Sequence, residues 1–241
     1  MASLALAAFG TPLLTLAAAR AAGVGGFRLQ ILGLALLQLI LGASGLAGWL
    51  RATGRWPRAA DGHGSPGWLR GCLGKQAWRG FAGGLALGPL LALGQAATTF
   101  AVVGLAQLVD RSGAVLELAR REEAAIASLL MAATPAWAAL LVALVLVGAP
   151  LAEELFFRGY FYGLLRRQGG VAPATAAALS AAAFAALHGY AVHFPALWVS
   201  GVLLAHWYER RRQLSVPVGA HVSLNVITLA LSFLGPVARI T

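Results

Sequence analysis

Long apolar runs separated by short polar segments dominate this chain and decide what it can fold into. Only 11% of its 241 residues are charged, whereas 59% are hydrophobic, and a water-soluble domain usually carries about 25% charged residues. The mean hydropathy is +0.77. So few charges cannot cover the surface of a soluble fold. A soluble globular enzyme, a disordered segment and a nucleic-acid-binding module are therefore excluded.

The class that remains is a helical membrane protein, because every backbone polar group inside a bilayer must be hydrogen-bonded within the protein. Apolar runs fall at 3–19, 29–50, 81–108, 125–149, 172–190, 194–208 and 216–234, with a more polar helical segment at 151–167. The sequence therefore predicts an all-α, polytopic transmembrane bundle of about seven to eight helices. The run at 3–19 has no basic region before it, which favours a retained first span over a cleaved signal peptide.

We expect a single integral-membrane domain over residues 1–241. Its N-terminal part, 1–124, holds the first spans and a basic loop, and 125–241 forms a motif-bearing core. Small residues four apart mark helix-packing ridges. They are Gly80, Gly84 and Gly88 in one run and Ala177, Ala181 and Ala185 in another.

The basic residues predict an orientation rather than a nucleic-acid partner. The formal net charge is +10, but the arginines are spread over the ends of the apolar runs, as the positive-inside rule describes. The loop 51–79 is rich in arginine, which predicts that it faces the cytoplasm. If 125–165 crosses the membrane once as a broken helix, the arginines at 166–167 and 210–212 also lie on the cytoplasmic side. The mixed-charge segment 109–124 then lies outside. We expect the protein in a bacterial cytoplasmic (inner) membrane.

Charged side chains within apolar runs are the first candidates for function, since each costs about 2.5–3.5 kcal/mol at the centre of a span. Glu154 and Arg158 stand four residues apart, share a helix face and are spaced to form an ion pair. Glu153 is rotated about 100° away and is left without that partner. The alternative is an interfacial helix start, in which the acids favour the N-terminal turn after Pro150.

Two further polar groups interrupt apolar helices near the C-terminus. His188 ends an alanine-rich run, and His221 and Asn225 lie four apart in the last one. A single histidine on such a helix is usually a packed residue, but burying His221 and Asn225 together without partners would cost several kcal/mol. A shared, membrane-embedded polar cavity is the interpretation that satisfies all of them. His193 and His206 lie near span ends and are given no role.

Such a cavity suits hydrolysis by activated water. A carboxylate in a low-dielectric site is a suitable general base near neutral pH, and histidine and asparagine can donate hydrogen bonds to the oxyanion of a tetrahedral intermediate. The sequence contains neither a Gly-x-Ser-x-Gly serine site nor a His-Glu-x-x-His zinc helix.

The ordered set of motifs resembles the CPBP family of CAAX-processing and bacteriocin-processing intramembrane proteases, also called Abi proteins. The set consists of Glu153-Glu154-x-x-x-Arg158, Phe184-x-x-x-His188 and His221-x-x-x-Asn225. The resemblance covers about residues 145–235. Two departures, His206 for a small residue and Arg211-Arg212-Gln213 for a Thr-Gly turn, leave the motif positions intact.

The resemblance implies a role for each motif residue. Glu153 would activate water, His188 would help hold it, His221 and Asn225 would line the oxyanion site, and Glu154 and Arg158 would buttress the helix. No cofactor is firmly predicted. A divalent metal such as zinc is left open, with Glu153, Glu154, His188 and His221 as the candidate ligands, although their spacing fits no standard zinc motif.

The function we expect is an intramembrane endopeptidase that hydrolyses a peptide bond near or within the membrane. Its partners would be the lipid bilayer and a peptide or protein substrate with a membrane-proximal cleavage site. Prenylated-type C-termini, bacteriocin leaders and C-terminal sorting tails are equally compatible substrates. The alternative is a non-catalytic scaffold or bacteriocin-immunity protein on the same fold. A transporter built from duplicated halves is disfavoured because no internal repeat is found.

Overall fold

A computed structural model describes residues 26–52, 74–167 and 169–237. The predicted span at 3–19 and most of the loop 51–79 lie outside the described residues. Within them the chain forms eight helices: α1 (Gly26–Ala52), α2 (Lys75–Leu85), α3 (Gly88–Val109), α4 (Ala114–Ala132), α5 (135–167), α6 (Pro173–His188), α7 (Phe194–Arg211) and α8 (Ser215–Val237). If α2 and α3 are counted as one helix that is broken at Ala86–Leu87, the described residues contain seven helices.

The predicted all-α transmembrane bundle is confirmed. Four helical stretches in the described residues are long and apolar enough to cross a membrane. They are Gly26–Arg51, Lys75–Val109, Pro135–Arg166 and Ser215–Leu234. Helix α6 is also apolar, but it is shorter than these four stretches.

The expected single apolar segment at 125–149 is wrong at its beginning. Residues 125–132 belong to α4, which begins after a left-handed Gly113 (φ 79°). A new helix starts at Pro135, and Thr134 before it is extended (φ −68°, ψ 161°). Proline disfavours helical backbone in the residue that precedes it, so a run that is continuous in hydropathy is divided between two helices. The broken crossing therefore begins at Pro135 and not at residue 125.

Helix α5 contains two π-helical segments on either side of the Glu153-Glu154 pair. Leu144–Gly148 and Leu155–Tyr162 are wound as π-helix, and Ala149–Glu154 between them is α-helical. A π turn displaces carbonyls from their usual i+4 partners, and such turns often occur at functional sites. The two acids therefore project from a short regular turn between two wider ones.

The predicted packing ridges lie at helix contacts. A Cβ added at Gly84 of α2 would meet the backbone of Val216 in α8, and Gly80 and Gly88 also face α8. In the second ridge Ala181 of α6 lies against Gly201 of α7, where an added Cβ would approach its Cβ to 2.8 Å. These close approaches join α2 to α8 and α6 to α7.

The basic segments meet at one end of the bundle. Gly80 near the start of α2 adjoins the turn at Gln213 and Ser215, and Arg166 at the end of α5 approaches Glu209 of α7 at 3.5 Å. Since α1 runs alongside α5, with Trp49 against Gly159, its C-terminus lies at the same end.

We predict that this basic end faces the cytoplasm. Single-cysteine variants at Ser65 and Ser215, made in a Cys72→Ala background, should resist a membrane-impermeant thiol reagent in intact cells and react after permeabilisation. Ser112, in the turn between α3 and α4, is the positive control for outside labelling. Labelling of position 65 or 215 from outside would contradict the orientation.

Candidate active site

A buried ion pair on α5 is the centre of the polar cluster. Arg158 Nη1 donates to Glu154 Oε1 at 2.7 Å, and both side chains are within 1% of complete burial. Arg158 Nη2 also donates to the carbonyl of Gly201 in α7 at 3.1 Å. The pair predicted from the spacing is present, and it ties α5 to α7. A charge-assisted hydrogen bond that is shielded from water is strong, but removing either partner leaves a buried charge unpaired.

His221 of α8 lies between the two carboxylates. Its Nδ1 is 2.9 Å from Glu154 Oε1, and its Nε2 is 3.9 Å from Glu153 Oε2. The imidazole is buried, with 4% of the residue exposed. The hydrogen bond through Nδ1 fixes the ring so that Nε2 faces Glu153, in the way that a carboxylate commonly orients a functional histidine.

Glu153 differs from Glu154 as its spacing indicates. It is buried, with 8% of the residue exposed. Within the described residues the Oε2 atoms of both glutamates lack a hydrogen-bond partner, so the difference lies in Oε1 of Glu154, which binds Arg158 and His221. The gap of 3.9 Å to His221 Nε2 is longer than a direct hydrogen bond. A buried carboxylate oxygen that is not satisfied by protein is available to an incoming molecule.

His188 joins the cluster through Phe184. Its Nδ1 is 2.8 Å from the Phe184 carbonyl, and the two rings have centroids 4.7 Å apart. The Phe184 ring also lies 4.8 Å from the Arg158 guanidinium and 5.8 Å from the His221 ring. Among the described residues, His188 makes no ion pair with Glu153, and its implied role in holding a water beside Glu153 stays a prediction.

Asn225 contacts the first π segment of α5. Its Nδ2 donates to the Val145 carbonyl at 2.8 Å. Ser180 of α6 makes a similar contact with the second π segment, where its hydroxyl donates to the Phe157 carbonyl at 3.1 Å. Side chains from neighbouring helices thus satisfy carbonyls of both π segments, as an apolar environment requires.

Three features of the cluster are not identified from the sequence. The Phe184 ring is shared by Arg158, His188 and His221. The carbonyl of Gly201 is an acceptor for Arg158, and the π segments shape the backbone beside Glu153. Of these, only the Phe184–His188 contact could be predicted from the sequence, because residues four apart share one helix face.

The four candidate metal ligands do not form a metal site in the described residues. No group of three or more His, Cys, Asp or Glu side chains there could hold a metal ion. Glu154 Oε1 is already shared by Arg158 and His221, and His188 Nδ1 is bonded to a carbonyl. The residues therefore do not fit a three-ligand zinc centre.

A comparison with known protein families finds a match in the part of the chain that contains these residues. Residues 135–227 match a family model described as type II CAAX prenyl endopeptidase Rce1-like. Neither a curated protein nor a solved structure matches the chain. The matched segment begins with α5 and contains every residue of the cluster. Over residues 135–227 this integral membrane protein is therefore similar to the CAAX-protease branch of the CPBP family.

Proposed function

We propose that the protein is an intramembrane endopeptidase in which Glu153 activates the attacking water. The observation that carries this proposal is the contrast between two adjacent buried carboxylates. Glu154 Oε1 is hydrogen-bonded to Arg158 and His221, whereas Glu153 has no arginine partner in the described residues and only approaches His221 Nε2, at 3.9 Å. A protease at the level of the family is consistent with the matched family model.

In the proposed reaction Glu153 accepts a proton from water while the water oxygen attacks the carbonyl carbon of the scissile peptide bond. The carbonyl oxygen becomes an oxyanion in the tetrahedral intermediate. The C–N bond then breaks, and the proton held by Glu153 passes to the leaving nitrogen. The products are a carboxylic acid and an amine, so one water is consumed and Glu153 is regenerated as a carboxylate.

The two histidines have complementary hydrogen-bonding capacities. A backbone carbonyl can only accept, so His188 Nδ1 carries the proton in its bond to Phe184. The Nε2 of a neutral His188 can therefore accept a hydrogen from water. Nδ1 of His221 donates to Glu154, and its Nε2 faces Glu153. We propose that His188 helps to hold the water and that His221, when protonated on Nε2, donates to the oxyanion.

Asn225 is the second proposed oxyanion donor. Its amide nitrogen has two hydrogens, and the contact with the Val145 carbonyl uses one of them. That contact fixes the amide plane, which leaves the second hydrogen available in a fixed direction. A preorganised donor of this kind stabilises developing charge without reorganising during the reaction.

We expect Asn225→Ala to lower kcat by about 10²–10³ with little change in KM, because an oxyanion donor acts mainly in the transition state. Steady-state cleavage kinetics measure the effect. The control is Ser232→Ala on the same helix, where an exposed hydroxyl donates to the Thr228 carbonyl at 2.8 Å. A loss of melting temperature with unchanged kcat in Asn225→Ala would indicate that the residue only supports the π segment.

The substrate proposed first is a membrane-bound peptide with a prenylated C-terminus, in keeping with the description of the matched family. Bacteriocin leaders and C-terminal sorting tails of exported proteins are the other two classes. In each class the bond to be cleaved lies close to a lipid surface. A peptide in that position can enter an active site that is buried between membrane helices. The proposed location is the bacterial cytoplasmic membrane.

The test is cleavage by the full chain in lipid nanodiscs. Three internally quenched peptides serve as probes: a farnesylated Cys-aliphatic-aliphatic-X peptide, a bacteriocin-leader peptide and a C-terminal sorting-tail peptide. Mass spectrometry identifies the bond cleaved. Cleavage of at least one peptide by wild type and not by Glu153→Gln supports the proposal. Binding of a peptide without cleavage, unaffected by Glu153→Gln, would favour the scaffold or immunity function, and no cleavage of any peptide would contradict the protease.

A further inference from the structure

A second polar cluster lies outside the candidate active site, where α4 meets the loop between α6 and α7. Glu122 of α4 accepts four hydrogen bonds. Its Oε1 accepts from the backbone nitrogens of Ala191 (2.8 Å) and Val192 (3.2 Å). Its Oε2 is 3.0 Å from the His193 nitrogen and 2.7 Å from His193 Nδ1. The Glu122 side chain is 8% exposed, although α4 is among the more polar helices.

This contact places a carboxylate beside the N-terminus of α7. Helix α7 begins at Phe194, and the residue before it, His193, makes no side-chain cap bond to the helix. The carboxylate from a helix about 70 residues earlier in the chain instead binds the three backbone amides that immediately precede α7. A negative charge at that position is favoured by the unpaired amides and by the helix dipole.

Glu122 is charged at neutral pH. Burial alone would raise its pKa, but the hydrogen bonds from the His193 side chain and from the 191–193 backbone outweigh burial, and the pKa lies below its ordinary value. The carboxylate therefore stabilises the loop fully above the ordinary pKa of 4.5, and this stabilisation is lost as the pH falls through the folded value. The titratable groups around it are Tyr190, His193 and Glu123.

The loop held by Glu122 follows directly after His188. The last residue of α6 is His188, and Gly189 ends the helix with a left-handed backbone (φ 69°). The Tyr190 ring lies between the two histidines, 6.4 Å from His188 and 6.3 Å from His193. Only two residues separate His188 from the first amide that Glu122 binds. Terminal helical turns fray unless tertiary contacts hold them.

We propose that Glu122 is a positioning residue for the hydrolytic reaction, which fixes the 189–193 loop and through it the imidazole of His188. This inference rests on the proposed function, because it needs His188 to act on the water. Glu122 itself touches no reacting atom. A displacement of about 1 Å in a reacting group can cost about 10² in rate, so releasing the loop should lower kcat rather than prevent folding.

The experiment combines a double-mutant cycle with hydrogen exchange on the full chain in nanodiscs. Glu122→Ala should lower kcat about 10- to 100-fold on the peptide that wild type cleaves fastest, with KM within about threefold. In a His188→Ala background the same change should have no further effect, because both substitutions remove one function. Hydrogen exchange of the 191–193 amides should accelerate in Glu122→Ala. Glu122→Gln, which keeps an acceptor for Ala191 and Val192, should give an intermediate loss.

Glu123→Ala is the matched control, since it removes the same charge one residue away. Its side chain is 63% exposed and only approaches His193 Nε2 at 3.5 Å, so kcat and the exchange rates should stay within about twofold of wild type. Fully additive losses for Glu122→Ala and His188→Ala would overturn the positioning role. Faster exchange at 191–193 with unchanged kcat would overturn it too. Full activity of His188→Ala would instead contradict the proposed function, independently of the exchange result at Glu122.

Discussion

Replacing Glu153 with glutamine should abolish cleavage while the protein remains folded. Glutamine has the same size and keeps hydrogen-bonding atoms, but it has no basic oxygen to take a proton from water. Loss of a general base typically costs about 10²–10⁴ in rate. We expect the upper end of that range, because no second carboxylate is available to substitute: Glu154 is bound to Arg158 and His221. Cleavage kinetics together with a thermal unfolding curve measure both parts of the prediction.

Two controls make the Glu153 result specific. Glu154→Gln tests the neighbouring acid and should reduce stability as well as turnover, because it leaves Arg158 without its charged partner. Exhaustive chelation of the wild-type protein should leave cleavage unchanged, since the candidate ligands in the described residues do not form a metal site. Full turnover by Glu153→Gln would exclude the proposed base, and activity lost to chelation and restored by zinc would contradict the metal-independent reaction.

Arg158→Ala should have the largest effect on stability. Its guanidinium is almost completely buried and binds both Glu154 and the Gly201 carbonyl. Removing it leaves the buried Glu154 charge without its arginine and breaks a tie between α5 and α7. The expected destabilisation is about 3–5 kcal/mol, measured as a lower melting temperature and a lower yield of folded protein, with activity lost in parallel. Arg158→Lys keeps the charge but not the planar fork, so it should recover only part of the loss.

The chain offers a matched control for this effect. Arg121 pairs with Glu117 at 3.1 Å with the same i, i+4 spacing and the same residue types, but both side chains are exposed, at 75% and 55%. An exposed helical pair of this kind contributes about 0.3–0.5 kcal/mol, so Arg121→Ala should be close to wild type. An Arg158→Ala protein that is inactive but as thermostable as wild type would show that Arg158 acts on the substrate rather than on the fold.

Hydropathy and local spacing were sufficient to predict the class of fold. Long runs such as 29–50 and 216–234 are too apolar for water, and a bilayer admits only helices in their place. The Gly84 ridge and the Glu154–Arg158 pair were also predictable, because residues four apart share one helix face. The helix boundary at Pro135 was missed, since hydropathy continues across it while the backbone geometry does not.

Local composition and spacing indicate which polar residues must find partners in the membrane, because each is costly to bury alone. They could not determine which partners these residues find. His221 orients on Glu154, Asn225 reaches the Val145 carbonyl, and Arg158 reaches Gly201, across separations of 43 to 80 residues. In the sequence Glu122 likewise resembles an ordinary exposed acid. In the folded protein the position of α4 places it against the backbone amides of 191–193. These contacts depend on how whole helices cross and rotate. The crossing angles between helices are set by many weak packing contacts. A local sequence pattern does not reveal those contacts.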